Sequence, residues 1–399
     1  MKFHTFYIFI ILLVFIPKRI NAQNNYKSAT IMFYNVENLY DTIKSADVIN
    51  GKLSPEDSLY QISIPEDSAL ASGLKIYRGE LSFDKLKGKH VIRKQILTNE
   101  FYYKGTKVWN SKKYNEKIGN LTKVISETGR EETKSMPSII GLAEIENEHV
   151  LQDLCESLGK KGTKYNYAHF NSFDARGVDV GLLYNEKRFT LIHKKRIVID
   201  LPPENGYKNY TRDILLVEGL LDGEKVYFLV NHWPSRRGGE QKSLPKRIRA
   251  AEIMKTAMDS ILNIHPNAKI LAMGDFNDDP TSPSIKKILN TVYKKDQVKS
   301  GTFFNPAEKL FKKGMGTLAY NDSFNFFDQQ IMSPGFINNT SEGYTYYKTM
   351  VFSPFYLISQ EGTWKGYPFR SFSGDNYTGG YSDHFPIYTI LVKKIKTND

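Results

Sequence analysis

One cysteine in 399 residues, Cys155, excludes an intrachain disulfide and any cysteine-built metal cluster. It stands among Leu151, Leu154 and Leu158, the setting of a buried structural thiol, and no disulfide-linked partner is expected. Whatever fold forms must be held by its core. Long apolar runs are equally scarce. The run Phe6–Ile16 has eleven residues, short of the roughly 20 that cross a bilayer. With Lys2 before it and Ile20-Asn21-Ala22 after it, the segment reads as a signal peptide cleaved after Ala22, which implies export to a periplasm or to the medium. No cysteine stands at that junction, so a lipid-anchored start is not expected. Acidic residues are the third shortage, 43 against 55 Lys and Arg, for a net charge of +12. Loss of residues 1–22 takes away Lys2, Lys18 and Arg19 and leaves +9. Such a surface favours polyanions, nucleic acid or anionic lipid headgroups, though it serves plain solubility as well.

The rest of the composition, 40% hydrophobic and 25% charged, is that of a globular chain. Short apolar runs predict strands at Ala29–Val36, Ser138–Ile145, Val178–Tyr184, Ile214–Leu221, Lys225–Asn231, Lys269–Met273 and Ile387–Val392. Tyr114, Ile118, Leu121 and Ile125 recur at helical spacing. So do Ile248, Ala251, Met254, Met258 and Ile261, in a helix expected to start near Ser243 and Pro245. Strands mixed with covering helices, without a strict βαβ rhythm, predict a layered α/β sandwich. Residues 43–110 are polar and read as an insertion. Their two Pro-Glu-Asp-Ser copies are too short to be repeat units. Residues 300–381 read as long loops joining the last strands, a common place for substrate contacts. No linker-like stretch follows residue 110, so a single domain over residues 23–399 is expected.

Five motifs could carry chemistry. Gly274-Asp275-Phe276-Asn277-Asp278 follows an apolar strand, and a carboxylate and an amide two residues apart there project the same way. That pair can orient a water and hold a phosphate oxygen, although Gly-Asp and Asn-Asp are also ordinary turn chemistry. Ser382-Asp383-His384-Phe385-Pro386 precedes the last strand and offers either a metal ligand beside a general base or a surface turn. Asn231-His232-Trp233-Pro234-Ser235 closes another strand and runs into Arg236-Arg237. A histidine beside guanidinium groups suits an acid next to phosphate. The other reading is a histidine packed under Trp233 and a solvated basic loop. Glu144 ends a buried run, where a carboxylate is costly unless paired or bound to a cation such as Mg²⁺. Asn35, in Phe33-Tyr34-Asn35-Val36-Glu37-Asn38, repeats that arrangement. All five end or begin apolar strands, and in a sandwich strand ends gather at one edge.

In chain order, Asn35, Glu144, His232, Asp275-x-Asn277 and Ser382-Asp383-His384 resemble the motifs of the endonuclease/exonuclease/phosphatase superfamily, from about Ala29 to Val392 with 43–110 unmatched. The resemblance implies a four-layer αββα sandwich of the deoxyribonuclease-like type, with the site at one edge of the paired sheets. It implies a Mg²⁺-dependent phosphodiester hydrolase in which Mn²⁺ can substitute. Asn35, Glu144 and Asp383 would hold the metal, Glu144 foremost. Asp275 would activate the water and Asn277 would bind phosphate. His384 would act as base or phosphate ligand, oriented by Asp328, with His232 as the second catalytic histidine. Arg176 and Arg212 match positions of phosphate-contacting or bracing arginines, and Asp179 is a looser match.

Two substrate classes fit. The charge and the Arg236-Arg237 loop favour nucleic acid and an endonuclease. The His232-x-x-Ser235 spacing resembles sphingomyelinases and keeps a lipid or inositol phosphodiesterase in view. Met350–Tyr356 is the one apolar stretch suited to membrane insertion, and it reads more readily as a buried strand. A non-catalytic binding module would have lost a ligand, and every matched position is present.

Overall fold

Residues 31–34, Ile-Met-Phe-Tyr, are apolar at consecutive positions, which suits a strand covered on both faces. The computed structural model describes residues 26–42, 75–84, 89–97, 100–101, 105–172, 174, 176–204, 207–337 and 343–395. In it Ile31 and Phe33 enter one core while Met32, Tyr34 and Val36 enter another. The expected signal segment and much of the expected 43–110 insertion lie outside the described residues.

Among the described residues, thirteen strands form the two large sheets. They are β1 (Tyr26–Leu39), β2 (Ile139–Ile145), β3 (Tyr165–His169), β4 (Asp179–Asn185), β5 (Phe189–Ile197), β6 (Ile214–Leu221), β7 (Glu224–His232), β8 (Lys269–Asp275), β9 (Thr291–Val292), β10 (Phe303–Phe304), β11 (Asp328–Met332), β12 (Thr345–Val351) and β13 (Ile387–Lys394). One sheet has the order β12-β13-β1-β2-β4-β3, the other β9-β10-β11-β8-β7-β6-β5. They face each other through a core that includes Phe33, Val180, Phe228, Leu271 and Met273. On the outside of the first sheet lie α1 (Ser111–Glu127) and α2 (Glu148–Gly159), which bury Ile118, Leu121, Leu151 and Leu154 against Met32 and Leu142. On the outside of the second lies α3 (Glu240–Ile264), with Ala251, Met254 and Met258 against Leu229, Ile270 and Ala272. The result is the four-layer αββα sandwich.

Three expectations need correction. Helix α3 starts at Glu240, ahead of Ser243 and Pro245, because its first turn is tied by side chains: Ser243 Oγ donates to Gly239 O at 2.7 Å and Arg247 to Glu240 O at 3.0 Å. The run Met350–Tyr356 is not one buried strand: β12 stops at Val351, Pro354 opens a 3₁₀ turn, and Phe355 is 75% exposed. The 300–381 region is also more ordered than loops. It contains β10, β11 and β12, with hairpins at Leu318–Tyr320/Ser323–Asn325 and Phe372–Ser373/Asn376–Tyr377.

Candidate active site

Strand register alone assembles half the site. Parallel pairing of β7 with β8 sets His232 opposite Asp275, and antiparallel pairing of β8 with β11 sets Asp275 opposite Asp328. Three ionisable residues thus stand in one row across the end of the second sheet. Gly274 makes the approach possible, since a Cβ there would run into the Asn231 carbonyl. Asp275 is the centre of the row. Its Oδ2 accepts from Asn35 Nδ2 of the opposite sheet at 3.0 Å, and its Oδ1 accepts from Asn277 N at 2.9 Å. The strand ends at Asp275 and Asn277 has φ 50°, so an Asx turn places Asn277, where strand alternation was expected to do so. Asn277 Nδ2 donates to the Trp233 carbonyl at 3.0 Å.

The first sheet contributes through irregularities. Pairing of β2 with β4 jumps from Ala143–Val180 to Ile145–Asp179, so Glu144 is an extra, bulged residue with φ 66°. On β1 the register slips between Asn35 and Leu39, and Glu37 and Asn38 have φ 48° and 56°. Side chains held in the left-handed region cost about 1–3 kcal/mol each and persist where surrounding contacts dictate them. Here those contacts are visible. Glu144 Oε2 accepts from Asn38 N at 3.0 Å, Arg176 forks onto both Glu144 oxygens at 3.1 and 2.8 Å, and Arg176 also bonds Asn38 Oδ1. Burial pushes the Glu144 carboxyl up, yet Arg176, His232 and His384 together hold it well below the usual carboxylate range.

The two histidines sit in opposite fields. His384 Nδ1 lies 2.6 Å from Asp328 Oδ2, and its Nε2 lies 3.9 Å from both Asp275 Oδ2 and Asp383 Oδ1. Burial alone would lower its pKa, but Asp328, Asp383 and Asp275 raise it well above the ordinary histidine value. His232 Nε2 is 3.6 Å from Asp275 Oδ2 and 3.9 Å from Glu144 Oε1, while its buried Nδ1 has no partner among the described residues. Burial, then Arg212 and Arg176, push His232 well below the ordinary value. Burial also lifts Asp275 to about 6, against the pull of His384 and with the push of Asp328.

The remaining expected residues frame this cluster. Asp383 is 38% exposed and 3.4 Å from Arg370. Arg212 is buried, with one amino group on Asp174 at 2.9 Å and the other on the Trp233 carbonyl at 2.6 Å. Asp179 accepts from Ser172 N at 2.7 Å and meets His169 at 3.2 Å. Trp233 is buried and packs edge-on against Phe276, with ring centroids 4.7 Å apart.

The family model described as Endonuclease/Exonuclease/phosphatase family matches residues 77–394. The chain belongs to that family. Among solved structures, an endonuclease/exonuclease/phosphatase family protein from Bacteroides thetaiotaomicron is 15% identical, with a TM-score of 0.47 over 94% of this chain and 99% of that one. The mannosyl-6-phosphatase of the same bacterium is 16% identical, with a TM-score of 0.47 over 91% and 99%. TDP2 of D. rerio, solved with a single-strand DNA product, is 16% identical, with a TM-score of 0.43 over 69% and 92%. Similarity at this level does not speak to chemistry. The curated proteins contain no significant match to the sequence.

Members of the family depend on a divalent metal, and the donors here suit a hard cation: carboxylates and an amide oxygen, with no thiolate. Asp275, Asp328 and His384 place one donor atom each within 4.8 Å of one another. Sequence reasoning overlooked Glu37, Lys117 and Arg370. Glu37 is buried, takes Arg370 Nε at 3.2 Å and Ser371 N at 2.6 Å, and burial lifts it to about 7. Lys117 is fully buried on α1 and donates to the Glu37 carbonyl at 2.7 Å. A lysine interrupting the Tyr114–Ile118 apolar face was the available signal, as was a charge two residues beyond Asn35. Arg370 carries no such pattern.

Proposed function

We propose that this chain is an exported, Mg²⁺-dependent phosphodiesterase, and specifically an endonuclease acting on nucleic acid. The observation that carries the reading is the row His232–Asp275–Asp328 clasping His384, set beside the bulged Glu144 and the Asn35 amide. Glu144, with Asn35 and Asp383, is the set we assign to Mg²⁺, with Mn²⁺ as a substitute. The bond of 2.6 Å between His384 and Asp328 is shorter than the roughly 3 Å between adjacent ligands of one octahedral cation at about 2.1 Å, so that pair is better read as a hydrogen-bonded dyad. When bound, the ion supplies neutralisation of charge on the phosphorane and the leaving oxygen.

The protein groups do the rest. Asp275, lifted to about 6, is a base matched to neutral pH and holds the attacking water. His384 has Nδ1 committed to Asp328, so as an imidazolium it presents Nε2–H to a phosphate oxygen. His232 stays neutral, with Nε2 turned to Asp275 and Glu144, and adds an uncharged N–H donor. Asn277 offers the second hydrogen of its amide to the phosphate, while Arg176 braces Glu144 and Arg212 braces the Trp233 carbonyl that Asn277 also bonds. The net +12, falling to +9 without residues 1–22, supports a polyanionic substrate.

The test is nicking of supercoiled plasmid by the purified protein with Mg²⁺, beside EDTA and Asp275→Asn. Metal-dependent nicking lost in Asp275→Asn supports the reading. Release of phosphate from sugar, inositol or lipid phosphoesters without nicking would replace the nucleic-acid assignment and keep the site. Export is checked separately, by sequencing the N-terminus of the secreted protein, expected to be Gln23.

A further inference from the structure

Beside the strand-end cluster lies a cavity of about 360 Å³ that includes none of His232, Asp275, Asn277 or His384 in its lining. Its cations are Lys107, Arg176, Arg237 and Arg370, against the carboxylates of Glu37 and Glu100. Two of these cations join it to the site, because Arg176 also holds Glu144 at 2.8 Å and Arg370 reaches Asp383 at 3.4 Å. The other two are differently engaged. Lys107 is held in place by Gly374 O at 2.6 Å and Asp375 at 2.8 Å. Arg237 is exposed and has neither a hydrogen bond nor an ion pair among the described residues.

The loop explains why Arg237 is free. Its neighbour Arg236 is consumed by the fold, with Nε on Asn277 O at 3.0 Å, the amino group on Asp279 at 3.1 Å, and the guanidinium 4.5 Å over the Phe327 ring. The two arginines that look equivalent in the sequence are therefore one anchor and one unspent cation. The opposite wall is aromatic: Tyr40 and Phe101 stack at 4.4 Å, with Phe372 edge-on to Phe101 at 5.5 Å. These rings are themselves buried, Tyr40 3%, Phe101 7% and Phe372 5% exposed, so they shape the wall, and the charge of Arg237 is what the cavity offers a polyanionic strand.

We propose that this cavity is a second anion subsite that takes the phosphate next to the scissile one along a nucleic-acid strand. The proposal rests on the nucleic-acid reading above. It makes Arg237 a specificity-determining residue, with Lys107 as its fixed partner.

The experiment compares an oligothymidylate with two versions carrying one neutral methylphosphonate link, on the 5′ or the 3′ side of the bond whose cleavage is followed. Full-length protein and Arg237→Ala are assayed with Mg²⁺. In the wild type, one of the two neutral links is expected to lower kcat/KM about tenfold, the worth of one charged hydrogen bond. In Arg237→Ala that penalty is expected to vanish, as a double-mutant cycle requires of interacting partners. Equal cleavage of all three substrates by the wild type, or an undiminished penalty in Arg237→Ala, overturns the subsite while leaving the nuclease intact. Hydrolysis of bis(p-nitrophenyl) phosphate with no cleavage of any oligonucleotide overturns the nucleic-acid reading, and the subsite with it.

Discussion

His384 and His232 approach the same carboxylate oxygen, Asp275 Oδ2, at 3.9 and 3.6 Å. On the His384 side stand Asp328 and Asp383, and the imidazole is held charged. On the His232 side stand Arg212 and Arg176, and the imidazole is held neutral. One side chain type thus plays two parts, decided by what the strands place behind it. An exchange in which one histidine takes a proton and the other returns it is the obvious expectation from sequence. The fields instead suit a standing cation, a neutral donor, and a carboxylate between them as the base.

The largest expected effect separates the two directly. His384→Ala should lower kcat/KM about 10³-fold and His232→Ala about 10²-fold, the two ends of the range for one preorganised donor to the transition state. Steady-state kinetics on the same substrate checks it, and equal losses would break the comparison. Asp328→Asn comes next, with an expected loss of about 10²-fold at pH 8 and a change in the pH profile. The wild type should gain activity as pH rises through about 6, where Asp275 ionises, and lose it as His384 deprotonates well above neutrality. Without the Asp328 charge His384 releases its proton more easily, so the alkaline limb should move to lower pH while the acid limb stays near 6. An alkaline limb that does not move would mean that His384 is not the cation.

Much of this was legible before any coordinates. Consecutive apolar positions in Ile31–Tyr34 and Ile270–Met273 announced strands covered on both faces, and the motif residues fell at their ends. What escaped were elements with no apolar signature. Strand β11, Asp328–Met332, carries Gln329 and Gln330, which are buried because Gln329 bonds Asn305 and Asp278 O and Gln330 bonds Ile31 O. Such hydrogen-bonded burial leaves no periodicity to read. Bulges escaped for a related reason. Asn35 and Glu144 were found as residues, but the extra residue that turns Glu144 toward Arg176 depends on the partner strand. The field on His384 was partly legible, since Asp383 adjoins it and Asp328 was expected to orient it, but the field on His232 comes from Arg176 and Arg212, outside its own motif.

Arg176→Lys tests the positive side more gently. Lysine keeps the charge but cannot fork onto both Glu144 oxygens and Asn38, so the bulged carboxylate loses its fixed direction. Activity should fall about tenfold, and half-saturation by Mg²⁺ should move to higher concentration. A fall in activity with unchanged metal dependence would place Arg176 on the substrate alone and detach it from Glu144.

The smallest effect on catalysis, and the one that reads the fold most directly, belongs to Glu37. Its carboxyl is buried, with Asp383 adding to the burial and Lys117 and Arg370 opposing it, and its pKa stands at about 7 against an ordinary 4.5. The native state therefore binds this proton more tightly than the unfolded chain does. The associated stability is fully present below 4.5 and is lost as pH rises through 7, on the order of 3 kcal/mol in total. Lys117 is held down to about 8 from 10.5, so its contribution is lost as pH falls through 8, and its window lies above that of Glu37. Glu37→Gln removes the titration and keeps one acceptor oxygen, enough for Ser371 N or for Arg370 Nε but not for both, so it carries a constant, pH-independent cost beside the loss of the titration. Denaturant unfolding of both proteins between pH 4.5 and 7.5 should show wild-type stability declining relative to the variant across that interval. A constant difference would mean that Lys117 and Arg370 neutralise Glu37 fully, and that the charge balance on the His384 side extends one residue further than Asp383.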